Sequence, residues 1–157
     1  MNSIEKHSAH NRRLVEYCLP LLYPDGKITL KKILNDGLIS GSRVAECAVS
    51  KVSGIKLDPV GYTADLIDGS DVKTATVYHH QKQRFLARIT NIKNKTGVLR
   101  CMVYNPFNSK WHFLLIPYEV YKLLYEVTIF FDKKTMQITG KYSKYEVDNF
   151  KEICIKV

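Results

Sequence analysis

Between Ala64 and Lys73 the chain reads Ala-Asp-Leu-Ile-Asp-Gly-Ser-Asp-Val-Lys, which gathers three carboxylates and one ammonium around the turn signal Asp68-Gly69. Carboxylates held that close repel each other and are costly unless a cation sits between them. Turn length decides which of them can act together. If Asp68-Gly69 alone forms a two-residue turn, Asp65 falls opposite Val72 and points away from Asp71. If the loop is Ile67-Asp68-Gly69, with Gly69 left-handed, Asp65 falls opposite Asp71 with Cβ atoms about 5 Å apart, and Lys73 shares their face. Hard oxygen ligands at that separation, open to water on one side, suit Mg²⁺.

Asp65 followed by Asp71-Val72-Lys73 across a hairpin resembles the PD-(D/E)xK signature of type II restriction endonucleases, archaeal Holliday-junction resolvases and related phosphodiester hydrolases. The resemblance implies one or two Mg²⁺ per site, bound by Asp65, Asp71 and the main-chain carbonyl of Val72, with Lys73 orienting the attacking water. Glu46, on the helix before the hairpin, takes the place of a glutamate that many members add. The core likeness runs over residues 43–78 and weakens toward Pro117. Ala64 stands where the family has Pro, and Asp71 where Glu is commoner. Asp58-Pro59 carries the two letters in reverse order, and a longer hairpin would make Asp58 the first acid. The implied activity is sequence-specific cleavage of double-stranded DNA. One such site per chain makes a double-strand cut the work of two copies, so a homodimer on palindromic duplex is expected. The same fold would also serve a structure-specific nuclease of the junction-resolving kind. Residues 29–53 can alternatively be read as the helix-turn-helix of a non-catalytic DNA-binding regulator.

Charge points the same way. The 157 residues carry net +9, yet residues 1–71 balance nine basic against nine acidic side chains, and residues 119–157 hold seven basic and six acidic. Nearly all of the excess lies in residues 72–118, where Lys73, Lys82, Arg84, Arg88, Lys93, Lys95, Arg100 and Lys110 meet no Asp or Glu. A single-sign band of that length is the footprint expected for a polyphosphate partner. Tyr78, His79, His80, Gln81, Lys82, Gln83, Arg84, Arg88, Lys93, Lys95, Asn105, Asn108 and Lys110 are the candidate DNA contacts, from the stretch 78–95 and the loop 105–110. His79 and His80 are neighbours on a strand and face opposite ways, so they are read as DNA contacts and not as ligands of one ion.

At 45% hydrophobic and 25% charged the chain has globular composition, long enough for one domain with a single core. Its apolar runs are too short for a membrane span and its start lacks a secretory signal, so a cytoplasmic protein of a prokaryotic or phage-like system is expected. Cys18, Cys47, Cys101 and Cys154 stand singly among apolar residues and read as small hydrophobes. Helices are expected over 4–22, 29–35 and from an N-cap at Ser42 to Gly54; strands over 63–67, 71–78, 85–92, 97–104 and 111–116. A helix over 118–125, a hairpin from 127–131 and 136–139, and a last helix introduced by the capping box Ser143 to Glu146 complete the reading. The fold class is α+β, a single domain: N-terminal helices, then a mixed, mostly antiparallel central sheet flanked by helices, as in the restriction-endonuclease core.

Overall fold

The computed structural model describes residues 3–29, 40–59, 64–81 and 83–156, with side chains from residue 8 onward. Helices α1 (Ser3–Leu22) and α2 (Gly41–Ser53) form where apolar residues recur at spacings of three and four. Leu14, Val15, Cys18 and Leu19 are buried on the first, Val44, Ala45, Ala48 and Val49 on the second. The N-cap of α2 is Ser40, two residues earlier than expected, because its hydroxyl reaches the Arg43 N–H at 3.2 Å. Gly54 ends the helix in the left-handed region, φ 75°. The short helix expected over 29–35 lies, apart from Thr29, outside the described residues.

Strands β1 (Asp71–Thr76), β2 (Tyr78–His80), β3 (Arg84–Ile89), β4 (Leu99–Asn105) and β5 (Lys110–Ile116) follow in order. Then come α3 (Tyr118–Tyr121), β6 (Val127–Phe131), β7 (Ile138–Thr139), β8 (Glu146–Val147) and α4 (Phe150–Ile153). They build two four-stranded sheets, β1-β4-β5-β8 and β2-β3-β6-β7. Strand β1 runs parallel to β4, with Asp71 beside Leu99, and the remaining pairs are antiparallel. The strand expected over 71–78 breaks at Val77, whose N–H goes to Tyr104 O at 2.8 Å before the chain crosses to the second sheet.

The result is α+β with N-terminal helices, layered helix, sheet, sheet. Val72, Met102 and Phe113 turn toward α1, α2 and α4, while Ala75, Cys101, Val103 and Leu114 turn toward Ala87, Ile89, Val127 and Ile129. The sheet β1-β4-β5-β8 is covered by helices on one face, and the second sheet covers its far face. Alternation in β3 and β6 requires this, since Phe85, Ala87, Ile89 and Val127, Ile129, Phe131 make one apolar face that must be buried. Two further readings change. Residues 143–145 form a 3₁₀ turn leading into β8, and the last helix is capped instead by Asn149, whose side chain accepts the Glu152 N–H at 3.1 Å. The helix at Pro117 is a single turn that ends before Lys122.

Candidate active site

The loop ahead of β1 is the three-residue form. Leu66 N–H bonds Ser70 O at 3.1 Å, Gly69 N–H bonds Leu66 O at 3.0 Å, and Gly69 sits at φ 88°, which a residue with a Cβ resists. Beyond that closure the expected strand over 63–67 does not form. Thr63 is outside the described residues, and the arm that follows makes only an isolated bridge, Leu66 with Leu57. Asp65 and Asp71 are joined instead by crossed hydrogen bonds. Asp65 N–H donates to Asp71 Oδ1 at 3.1 Å, and Val72 N–H donates to Asp65 Oδ2 at 2.8 Å. The carboxylates replace the missing backbone ladder, because β1 pairs with β4 along its other edge.

Asp71 is 2% exposed, and two ammonium groups approach its Oδ2, Lys95 at 3.0 Å and Lys73 at 3.6 Å. Lys73 also donates to Asn91 O at 3.0 Å. Glu46, on α2, meets Asp65. Burial first, then hydrogen bonding to Asp65 and its charge, push the Glu46 carboxyl up to about 7, against the opposing pull of Arg43 at 3.6 Å. Behind the carboxylates, burial and the charge of Asp71 push the Tyr121 hydroxyl up to about 12, and that hydroxyl donates to Gly97 O.

The loop is fixed from beneath by a residue that sequence alone assigned to the basic band. Arg100 is fully buried, and its guanidinium donates to Ser70 Oγ at 3.0 Å, Asp68 Oδ2 at 3.1 Å and the carbonyls of Ile153 and Ile155 at 2.6 Å each. Burial would raise the Asp68 carboxyl, but hydrogen bonds from Ser70 and Arg100 outweigh it and hold the group below its ordinary range. Gly97 presses against the same loop: a Cβ there would lie 2.0 Å from Gly69 O.

The donors present fit a hard divalent cation. Asp65, by hydrogen bond and charge, helps to raise the Glu46 carboxyl beside it, and a cation between the two would relieve that repulsion. Asp71 N–H points at β4, bonding Val98 O at 3.1 Å, so by strand alternation the polar groups of Val72 point the other way, to the side where Asp65 receives its N–H. The Val72 carbonyl thus lies on the Asp65 side. Among the described residues no three His, Cys, Asp or Glu side chains close around one point. Two carboxylates, one carbonyl and several waters are the set that Mg²⁺ accepts.

The structure thus brings Glu46, Asp65, Asp71, Val72 and Lys73 together, and Asp58 donates its backbone N–H to Asp65 O at 2.9 Å. The other candidates divide. Tyr78, His79 and His80 form β2, Gln81 and Gln83 lie in the exposed turn after it, and Arg84, Arg88, Lys93 and Lys110 are exposed. Asn108 is half-buried, its side chain accepting the Lys110 N–H at 3.2 Å. Lys82 is outside the described residues. Two candidates are corrected. Lys95 is drawn onto Asp71 by charge, and Asn105 is fully buried, its Oδ1 holding the Phe107 N–H at 2.9 Å to shape the β4–β5 turn. Arg100, Gly97 and Tyr121 were not legible as site residues, since each comes from a distant segment, and Lys95 was legible only as a DNA contact and not as a partner of Asp71. The acid-free run around Lys95 and Arg100 was the one available signal.

No family model, no curated protein and no solved structure matches this chain. The functional reading comes from the residues and their geometry.

Proposed function

We propose that the chain is a Mg²⁺-dependent DNA endonuclease that hydrolyses phosphodiester bonds in double-stranded DNA, most like a small type II restriction enzyme working as a homodimer in the cytoplasm. The observation that supports it is the gathering of Glu46, Asp65, Asp71, the Val72 carbonyl and Lys73 around the start of β1, where Asp65 N–H donates to Asp71 and Val72 N–H donates to Asp65.

Mg²⁺ supplies charge to the scissile phosphate and acidity to a bound water. Asp65, Asp71 and the Val72 carbonyl hold it, with Glu46 beside them. Glu46, whose carboxyl the fold pushes up to about 7, would ionise where a cation lay beside it. Lys73 Nζ, placed by Asp71 and Asn91 O, orients the attacking water and stabilises negative charge as it develops on the phosphate oxygens. Arg100 and Gly97 set the loop that aims the carboxylates, and they touch no substrate. Arg84, Arg88, Lys93 and Lys110 supply the exposed positive surface for the DNA backbone.

The test is a digest of plasmid and phage DNA with Mg²⁺, run beside an EDTA control and a cruciform substrate. Discrete Mg²⁺-dependent fragments are expected. Cutting of the cruciform alone would shift the reading to a junction nuclease, and retardation without cutting would overturn catalysis.

A further inference from the structure

At the opposite end of β1 from the carboxylates, α1, the β1–β2 junction, β3 and the β4–β5 turn enclose a groove of about 690 Å³. His10, Arg13, Tyr78, His79, Arg88 and Phe107 line it, and among the described residues no acidic side chain does. Two of its rings form a braced platform. His79 lies flat on Phe85 at 4.3 Å with 2° between planes, and Phe107 meets the same Phe85 edge-on at 4.8 Å. Phe85 is buried, while Phe107 is 51% exposed, so both outer rings are held from behind and offered to solvent.

Two arginines line the same groove. The Arg13 guanidinium sits 4.7 Å above the Tyr104 ring, and that of Arg88 5.8 Å from the Tyr78 ring, with Glu126 4.0 Å from Arg88 Nε outside the groove. The His10 ring is fixed by Thr76 Oγ1 at 2.7 Å and Thr74 Oγ1 at 3.0 Å. Exposed aromatic faces in one groove with cations match unpaired bases on a phosphate chain: the rings stack on bases and the guanidiniums meet phosphates. A paired duplex hides its base faces and gains nothing from the platform.

We propose that this groove binds unpaired nucleotides of a DNA strand, about 16 Å along β1 from Asp71. The proposal deepens the nuclease reading and rests on it: duplex held at that site is opened beside the cut, and the freed nucleotides enter the groove.

Binding is read in EDTA, by anisotropy of a fluorescein-labelled dodecathymidylate and of a duplex of equal length. Phe107→Ala is expected to weaken strand binding about tenfold and duplex binding less than twofold. Phe107→Trp, which keeps a stacking face, restores strand binding to within twofold. Arg13→Gln flattens the salt dependence of strand binding by about one unit of slope. Equal losses on strand and duplex, or no loss at Phe107→Ala, overturn the proposal. So does thymidine monophosphate displacing the strand at the strand's own molar concentration, which would make a free nucleotide the ligand. No cleavage is read in these arms, so a catalytically dead protein showing all the expected effects overturns the nuclease reading alone and keeps the groove.

Discussion

Lys73 and Lys95 reach the same oxygen of Asp71, so removing one leaves the buried carboxylate a counter-charge. Lys73→Ala is therefore expected to fold, to bind duplex DNA within about twofold of wild type and to cut at least about a hundredfold more slowly. Binding and cleavage falling in parallel would show Lys73 to be a phosphate contact. Glu46 makes a second prediction at this scale. Its carboxyl titrates near 4.5 when unfolded and about 7 in the fold, so the fold holds that proton more tightly. The stability it contributes is complete below pH 4.5 and lost as pH rises through 7. The melting temperature in EDTA should fall between these values. Glu46→Gln should flatten the curve, and Mg²⁺ should raise the melting temperature more at pH 8 than at pH 5. A flat wild-type curve would mean that the fold does not raise the Glu46 carboxyl.

At the scale of elements, the 66–70 loop was legible because its length and Gly69 admit few conformations, and the three-residue form stands. What brackets it was not legible. Nothing in Asp68-Gly69 foretells a guanidinium 32 residues on, or a glycine at 97 pressed to its backbone. Asp68 reads from sequence as a harmless turn tip, yet it neutralises Arg100. Asp68→Asn is expected to cost about 2 kcal/mol in denaturant melts, less than a fully buried pair because Asp68 remains 27% exposed. Gly97→Ala should cost about 3 kcal/mol and lower cleavage, since the Gly69 carbonyl has nowhere to move without shifting Asp65 and Asp71. Wild-type stability in Gly97→Ala would show that the loop yields freely. Strands β3, β4, β5 and β6 and the two long helices were legible from their apolar pattern, whereas the break at Val77, β8 and the missing strand over 63–67 were not. Nor was the division into two sheets, because residue pattern marks a buried face without naming what covers it.

For the whole molecule, the acid-free band overstates the charge offered to DNA. Of its eight cations, Lys73 and Lys95 are committed to Asp71 and Arg100 is buried, leaving Arg84, Arg88, Lys93 and Lys110 exposed among the described residues. Duplex binding in EDTA should lose affinity with salt at a log–log slope of about −4 per chain, where eight free cations would give about −7. The steeper value in an anisotropy titration would return the lysines to the DNA.

Arg100 also sets an order of events. The acids and Lys73 are translated early, but the loop carrying them is pinned by a guanidinium whose two shortest hydrogen bonds run to carbonyls of Ile153 and Ile155. A nascent chain halted before residue 153 holds every candidate catalytic side chain and still leaves that cation two acceptors short. Such chains should be protease-sensitive around residues 65–71, because the loop there lacks the clamp that Ile153 and Ile155 complete.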